Sequence, residues 1–419
     1  MTTLTRVQQQ YEVLPYPHRD PERELEQLLQ TILCELPRIQ SIAWGGPRDL
    51  STLRVLDAGC GTGDNTVFLA HQLQGTGAEI VALDFSNTSL DINRARLAKR
   101  GLDNVRHVLA PIEEAPSLDL GEFDFIVCSG VLHHLSSPLE GLTALRSMLK
   151  PDGLMGVMVY ARYGREPVYL MQALLRRLAP PEMEPDKRLR ILKRTFEGLP
   201  KQSRTLRGLL DSPYLLSEIT RSDAGAYDLL LHTQDRPYTV PELHEWMGDA
   251  GMRVVEWSVP RSYDPTTYLK DIGLSHLDGA ERAATAELMH GGMMKHEFWC
   301  ERDDAPVRPS VAADDVTATP VWVSLDFPGQ VQATLALKEL GPEMRCSFGP
   351  ERDVVVSTDA LGRHFLGSIN GVSTVGDILE GAYRIAGTVS ENRIRARWVE
   401  FAEAFRSVGA LALYERPRA

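Results

Sequence analysis

Apolar and polar positions alternate with two different periods along residues 50–160. Short apolar runs typical of buried strands are separated by stretches in which apolar residues recur every three or four positions, as in a helix that buries one face. The strand-like runs are 54–56, 79–83, 105–109, 123–128 and 154–160, and the helical stretches are 67–73, 90–99 and 139–149. This alternation predicts an α/β fold with a doubly wound parallel sheet.

The pattern changes on either side of this region. Apolar residues at helical spacing predict an amphipathic helix over 21–36 and a helical insertion over 161–238. Two later runs, 252–259 and 293–300, are typical of strands that close the sheet. We therefore expect an N-terminal lid or helical segment (1–50), a main domain (51–302), a Pro-rich and Asp-rich linker (303–320) and a small α+β C-terminal domain (321–419).

Composition narrows the class of protein. The chain has 419 residues, of which 43% are hydrophobic and 24% charged, and its net charge of -12 argues against a nucleic-acid or anionic-membrane partner. Its five cysteines are scattered without a C-x-x-C pair, so neither a disulfide framework nor a zinc site is indicated. No apolar run reaches the ~20 residues that span a bilayer. We expect a cytoplasmic protein without a metal.

A glycine-rich turn follows the first strand-like run, in the sequence R-V-L-D-A-G-C-G-T-G-D-N over 54–65. Gly59, Gly61 and Gly63 let the backbone approach a ligand closely. A dinucleotide fingerprint would need a small residue at position 64, and Asp64 places a carboxylate there, which would repel a pyrophosphate. Asp57 could instead attract an ammonium group, so a ligand with an amino-acid moiety fits better than a dinucleotide.

The stretch V-L-D-A-G-C-G-T-G resembles the first motif of class I S-adenosylmethionine-dependent methyltransferases. The resemblance covers 50–160 well and 239–301 more loosely. It implies a Rossmann-like methyltransferase sheet, whose last strand is usually antiparallel, and S-adenosylmethionine as the cofactor. The residues expected to bind the cofactor are Asp57, Gly59, Cys60, Gly61, Gly63, Asp84, Phe85, Ile112, Ser129 and Tyr11.

Two of these positions have specific expected roles. Asp84 ends the second strand-like run, 21 residues after Gly63, where an acid can accept hydrogen bonds from ribose hydroxyls. Family members often have an acid after the third strand to receive the adenine amine, but this chain has Pro111 there. Adenine recognition then depends on Ile112 and backbone groups, with Glu113 as a candidate substitute.

The candidate catalytic residues come from three places in the chain. His133 and His134, in C-S-G-V-L-H-H-L, follow the fourth strand-like run, and either could be a general base, although both could equally be structural. Tyr16 belongs to the stretch Q-Q-Y-E-V-L-P-Y-P, which resembles the N-terminal stretch of several bacterial methyltransferases and is either a lid or an anchor. Tyr238 ends a dense polar cluster over 227–238, our second choice for acceptor contacts.

Two functions remain open from the sequence. The first is S-adenosylmethionine-dependent methyl transfer to a nitrogen or oxygen atom of an acceptor, either a protein or peptide or a small molecule. The second is a cofactor-binding scaffold or regulator without turnover, in which the C-terminal domain, weakly similar to winged-helix modules, serves recognition or dimerisation. An excess of 12 Lys and Arg over 5 Asp and Glu in 161–210 could attract an acidic acceptor or form a solvated helix face.

Overall fold

The computed structural model describes residues 3–271, 273–307, 310–337 and 341–415. The strands of its central sheet are β1 (Arg54–Ala58), β2 (Glu79–Asp84), β3 (Val105–Leu109), β4 (Phe123–Ser129), β5 (Leu149–Tyr160), β6 (Met252–Trp257) and β7 (Lys295–Arg302). Their order across the sheet is 3-2-1-4-5-7-6; β1 to β5 pair in parallel, and β7 is antiparallel to β5 and β6. This confirms the predicted doubly wound sheet and its antiparallel closing strand.

Helices pack on both faces of this sheet. They are α1 (Thr3–Val13), α2 (Leu36–Trp44), α3 (Asp64–Gln72), α4 (Asn87–Arg100) and α5 (Pro138–Ser147), with α11 (Val240–Asp249) and α12 (Gly279–His290) after the insertion. Adjacent residues of β1 point to opposite faces: Val55 packs in the core that contains α3, and Leu56 packs in the core that contains α5 and α11. Because both faces are covered in the centre of the sheet, β1, β2 and β4 are buried along most of their length, as the sequence pattern indicated.

The predicted helical insertion consists of five helices. They are α6 (Glu166–Leu178), α7 (Pro185–Gly198), α8 (Arg204–Leu210), α9 (Pro213–Arg221) and α10 (Asp223–Leu231). The insertion has its own apolar core, which includes Met171, Leu175 and Leu230. Arg188, one of its many basic residues, is buried and donates to the carbonyl oxygens of Ala179 and Leu231. At least this part of the basic excess is therefore structural.

The predicted continuous helix over 21–36 is wrong. Short 3-10 turns at Pro21–Arg23 and Ile32–Cys34 replace it, and Leu25 is exposed. The reason is tertiary: Glu24 is buried and bonded to Arg96 and Arg100 of α4, at 2.5 and 2.6 Å. In this position two arginines compensate the charge of the buried Glu24 carboxylate. A helix that buried its leucine face would not provide this compensation.

The C-terminal domain contains β8 (Thr319–Trp322), α13 (Phe327–Leu335), β9 (Glu343–Ser347), β10 (Asp353–Ser357), α14 (Ala360–Ser368), α15 (Val375–Ala386), α16 (Glu391–Ser407) and β11 (Leu411–Tyr414). β8 pairs with β11 and β9 with β10, both antiparallel. The segment expected to be a linker takes part in this domain, because Ala313 and Ala318 lie in its core and the Trp398 indole donates to the Ala313 carbonyl.

The helices and the cysteines bear on the predictions about membranes and disulfides. None of the helices in the described ranges has the length and apolar character needed to cross a bilayer. The five cysteines are buried free thiols.

The C-terminal domain packs against α2 of the main domain. The Ser41 hydroxyl donates to the Leu413 carbonyl at 2.9 Å, and the Tyr414 hydroxyl donates to Gln40 at 3.2 Å. Glu35, the residue before α2, is only 5% exposed at this junction, and its Oε2 has no hydrogen-bond partner in the part of the chain that the structure describes. Burial raises the pKa of the Glu35 carboxyl to about 7, against the opposing charge of nearby Arg352.

We expect Glu35→Gln to stabilise the protein at pH 8 more than at pH 5. The folded state holds the Glu35 proton more tightly than the unfolded state, so its contribution to stability is full below pH 4.5 and is lost as the pH rises through about 7. Glutamine avoids this loss, which is roughly 1 to 3 kcal/mol for a shift of this size. Urea unfolding at both pH values, with exposed Glu26→Gln as the control, measures the difference. Equal effects of Glu35→Gln at both values would contradict the prediction.

Candidate active site

A cleft of about 1570 Å³ opens at the carboxyl ends of the parallel strands. It is bordered by the loops after β1, β2, β3 and β4, by the N-terminal segment, by α9 and by the C-terminal domain. The residues predicted to bind a cofactor or act in catalysis that line it are Tyr11, Tyr16, Gly59, Cys60, Gly61, Asp84, Phe85, Ile112, Ser129 and His134. Asp57, Gly63, His133 and Tyr238 lie behind its surface.

The glycine turn is surrounded so closely that side chains would not fit. A Cβ at Gly59 would lie 2.5 Å from Val131, and a Cβ at Gly61 would lie 2.8 Å from the Tyr16 carbonyl oxygen. Both glycines have positive φ, 73° and 51°. The turn therefore exposes backbone to the cleft at Gly59 and Gly61 because no side chain intervenes.

Two aspartates hold this turn in different ways. Asp84 accepts from the Gly61 and Ser86 amides, both at 2.8 Å, and still borders the cleft. Asp57 is 1% exposed and accepts from the Thr66 hydroxyl at 2.5 Å. Burial raises the pKa of the Asp84 carboxyl to about 6 and that of Asp57 to about 7. Asp57 thus joins β1 to α3, and the structure does not place its side chain where it could contact an ammonium in the cleft.

Asp64 also differs from the sequence interpretation. Its carboxylate is paired with Arg19 at 2.6 Å and with Arg96 at 2.8 Å. The expected repulsion of a pyrophosphate is therefore offset by two positive charges. Asp64 alone does not argue against a dinucleotide.

The loop after β3 contains an unpaired acid. Glu113 lines the cleft, and its Oε2 is buried without a hydrogen-bond partner in the structure. Ile112 beside it is 4% exposed and borders the same space. An uncompensated buried carboxylate oxygen costs about 1 to 3 kcal/mol or more, so this position favours a ligand that donates a hydrogen bond.

The N-terminal segment joins the main domain to the insertion. Glu12 caps the start of α4 by accepting from the Asn87 amide at 2.7 Å, and the Thr62 hydroxyl donates to the Pro17 carbonyl at 2.7 Å. The Tyr16 hydroxyl donates to Glu218 of the insertion at 2.9 Å. The segment thus combines both sequence interpretations, since it is anchored at several points and also forms a wall of the cleft.

The two histidines after β4 have different environments. Both lie on the short 3-10 turn Leu132–His134. His133 is 1% exposed, neither of its ring nitrogens has a hydrogen-bond partner among the described residues, and burial lowers its pKa well below the usual value. Its ring packs 4.0 Å from that of Tyr160. His134 borders the cleft, and its Nδ1 lies 2.7 Å from the Gln234 carbonyl oxygen.

The peptide groups of Gln234 set the tautomers of two stacked imidazoles. Its carbonyl can only accept, so His134 carries its proton on Nδ1 and keeps a lone pair on Nε2. Its amide donates to His232 Nδ1 at 3.1 Å, so neutral His232 carries its proton on Nε2. The rings of His134 and His232 are stacked with centroids 3.8 Å apart. His134 is therefore a histidine of the cleft with a lone pair free to take a proton.

The cluster of polar residues around His134 contains two groups of residue types that can bind a metal. The donor atoms of His134, Asp228 and His232 lie within 4.8 Å of one another, as do those of His133, His134 and Asp235. In the first group His232 has no lone pair left for an ion, because its Nδ1 accepts from Gln234. In the second, Arg165 lies 3.7 Å from Asp235 and would repel a cation. The cluster fits a hydrogen-bonded network better than a metal centre.

Tyr238 lies away from this cluster. It is fully buried and stacks on Trp246 with ring centroids 4.8 Å apart. Its backbone pairs with β5 through a bond from its amide to the Tyr160 carbonyl. The position of Tyr238 indicates a core residue that holds the insertion to the sheet.

Sequence reasoning did not identify the residues that orient His134. Asp228, His232 and Gln234 lie about a hundred positions later in the chain, within the polar cluster that was our second choice for acceptor contacts. The density of polar residues over 227–238 was a usable signal. Their partner could not be found from spacing, because the contact depends on the loop after α10 folding onto the turn after β4, where the Arg236 amide donates to the His133 carbonyl.

Comparison with known proteins identifies a methyltransferase domain in this chain. Residues 56–155 match the model of a family described as methyltransferase domain. An uncharacterized protein from Synechococcus sp. is 32% identical over 279 residues, which are 64% of this chain and 65% of that protein. A ubiquinone biosynthesis O-methyltransferase from Bordetella avium is 31% identical over 134 residues, 32% of this chain and 52% of that protein. The chain thus spans less than two thirds of these curated relatives.

Among solved structures, PKMT2 from Rickettsia typhi has a similar fold. It superposes with a TM-score of 0.63 at 16% identity, over 92% of this chain and 76% of that protein. The same protein in complex with AdoHcy matches equally well, at 15% identity. The similarity in fold extends beyond the 100 residues of the family match.

Proposed function

We propose that the whole protein is an S-adenosylmethionine-dependent methyltransferase acting on a nitrogen or oxygen acceptor, because residues 56–155 match a family described as methyltransferase domain. The observation that carries the proposal is that the glycine turn and His134 open into one cleft. A ligand on the turn and an acceptor beside His134 would then share a single space. The acceptor is a protein or peptide, or a small molecule.

The residues around the glycine turn fit the parts of S-adenosylmethionine. The Asp84 carboxylate, fixed by two amides, can accept from the ribose hydroxyls. The unpaired Glu113 oxygen can accept from the adenine amine, which supports the role suggested for it as a substitute at this loop. Ile112 and Phe85 supply apolar surface for the base, and Ser129 lies on the loop where the methionine part is expected.

Methyl transfer from this cofactor is an in-line displacement from a sulfonium that is already an activated leaving group. The protein therefore has to align the acceptor and exclude water, and it needs a base only where the acceptor must lose a proton. Tyr11, Tyr16 and Tyr160 form aromatic walls of the cleft that can exclude water from an acceptor. His134 Nε2 can take the proton that the acceptor nitrogen or oxygen releases.

The size of the cleft leaves both kinds of acceptor open. At about 1570 Å³ it can hold the cofactor and an acceptor together, since a single small-molecule site usually measures ~300 to 1,000 Å³. The name of the Bordetella avium relative favours transfer to oxygen. Incubating the protein with labelled S-adenosylmethionine and a cell lysate would separate these cases. Labelled protein would indicate a polypeptide acceptor, and a labelled small compound would indicate a small-molecule acceptor. Cofactor binding without any labelled product would indicate the scaffold alternative.

We expect Asp84→Ala to weaken S-adenosylmethionine binding by ~1 to 3 kcal/mol, the range for hydrogen bonds from hydroxyls to a carboxylate. Calorimetry with S-adenosylmethionine and S-adenosylhomocysteine measures the change. Asp91→Ala, on the exposed side of α4, is the control and should bind normally. Micromolar binding of NAD without any response to S-adenosylhomocysteine would contradict both the role of Asp84 and the proposed function.

A further inference from the structure

An imidazole that takes a proton in a buried site needs a nearby negative charge. His134 is 7% exposed, and the Asp228 carboxylate of α10 lies within 4.8 Å of it. Asp228 is itself 3% exposed and accepts from the Tyr11 hydroxyl at 2.8 Å. We propose that Asp228, positioned by Tyr11, stabilises the protonated form of His134 and so sets its strength as a base. This inference rests on the proposed function.

Other titratable and charged groups also face His134, from every element packed against it. His133 and Tyr160 face it from the sheet side, and His232 and Asp235 face it from the loop after α10. Behind these lie Tyr11 of α1, which packs on His232, and Arg165 at the start of α6, which pairs with Asp235. His133 and His232 are neutral, because burial lowers both pKa values well below the ordinary value. Asp228 and Asp235 are the two acids of this set.

Of these two acids, Asp228 is the one whose charge is available to His134. Asp235 accepts from Gln172 at 2.9 Å and pairs with Arg165 at 3.7 Å, so a positive charge already offsets it. Within the described ranges, Asp228 forms no such ion pair with an arginine or lysine. The imidazolium of His134 would lie within 4.8 Å of Asp228, a distance at which opposite charges favour the ionised form of each group.

The Tyr11 hydroxyl is a permanent donor to Asp228. Burial raises the Tyr11 pKa well above 10, so the phenol keeps its proton at neutral pH. Burial also raises the Asp228 pKa, whereas His134 and the Tyr11 hydrogen bond favour the ionised carboxylate. The hydroxyl oxygen of Tyr11 in turn lies 3.4 Å from Nε2 of His232, whose proton points to it. Tyr11 therefore holds the carboxylate in one orientation and helps it to remain ionised.

Tyr11 belongs to α1, which is fastened to the cofactor side of the cleft. Gln8 donates to the Phe85 carbonyl at 2.9 Å, and the Tyr11 ring packs edge-on against Phe85 with centroids 5.9 Å apart. The helix thus links the loop expected to hold the adenosine to an acid of the insertion. Tyr11 therefore contacts both Phe85, through its ring, and Asp228, through its hydroxyl.

The test is a pH titration of His134 by nuclear magnetic resonance in protein labelled with ¹⁵N-histidine, which needs no acceptor. We expect His134 to show the Nδ1–H tautomer and Asp228→Asn to lower its proton affinity about tenfold. Asp228→Glu should restore most of that affinity, because it restores the charge. Tyr11→Phe should lower it less than Asp228→Asn does. An unchanged His134 titration in Asp228→Asn, or an Nε2–H tautomer in the unmodified protein, would overturn the inference.

Two controls separate an effect of the Asp228 charge from a general effect of substitution or a loss of folding. Asp223→Asn makes the same change on the same helix at a half-exposed site and should leave the His134 titration unaltered. If Asp228→Asn does not fold, Tyr11→Phe decides the question, since it keeps the ring and removes only the hydroxyl; no shift there would then overturn the inference. Binding of S-adenosylhomocysteine is measured on every variant. Absence of binding in the unmodified protein would refute the proposed function, whereas binding with an unshifted titration would refute only the role of Asp228.

Discussion

Replacing His134 with alanine is expected to lower methyl transfer at least about 100-fold, the lower range for loss of a general base. The reason is that His134 carries a lone pair on the ring nitrogen opposite the Gln234 contact and borders the cleft. Cofactor affinity should stay within about threefold, because the glycine turn and Asp84 are untouched. Transfer of label from S-adenosylmethionine to the acceptor fraction of a lysate, with calorimetry of S-adenosylhomocysteine, measures both quantities.

His71→Ala is the matched control for this prediction. His71 is a second histidine that borders the cleft, on α3, and is exposed there. Its loss should change turnover little. Normal turnover of folded His134→Ala protein would remove the base role from this residue, and equal losses in both variants would indicate a general effect of charge or packing.

Gly63→Ala is expected to destabilise the protein by roughly 2 to 5 kcal/mol and to weaken cofactor binding at least tenfold. Gly63 has φ of 97°, which costs an alanine about 1 to 2 kcal/mol. Its Cβ would also lie 2.6 Å from Asn93, and such overpacking of a filled site typically costs about 1 to 3 kcal/mol. Asn93 cannot move freely, since it is buried and donates to Thr66 at 3.1 Å.

Gly75→Ala separates the two parts of this expected loss. Gly75 has a similar positive φ of 75°, but no heavy atom lies within 4 Å of an added Cβ. It should therefore lose only the backbone contribution, about 1 to 2 kcal/mol, and bind the cofactor normally. Urea unfolding and calorimetry on both variants give the comparison. Equal destabilisation would show that backbone conformation alone, and not the fit against Asn93, makes glycine necessary at position 63.

The position of Asp64 shows why local patterns can mislead about electrostatics. From the sequence its carboxylate looked exposed to a ligand on the glycine turn. In the fold it is paired with Arg19, 45 positions earlier, and with Arg96, 32 positions later. A charge is judged by its neighbours in space, which residue spacing does not reveal. The same reason explains the wrong helix over 21–36, where Glu24 is drawn to Arg96 and Arg100.

The sheet and the glycine turn were determined by the sequence alone. Strands buried on both faces must be continuously apolar, and a turn that passes close to a ligand must lack side chains, so each leaves a local pattern. Only the tertiary structure shows that His134 borders the cleft and that His133 is buried behind it. This difference depends on burial and on the Gln234 peptide a hundred residues later, and a hydrogen bond between distant segments leaves no periodic trace in the chain.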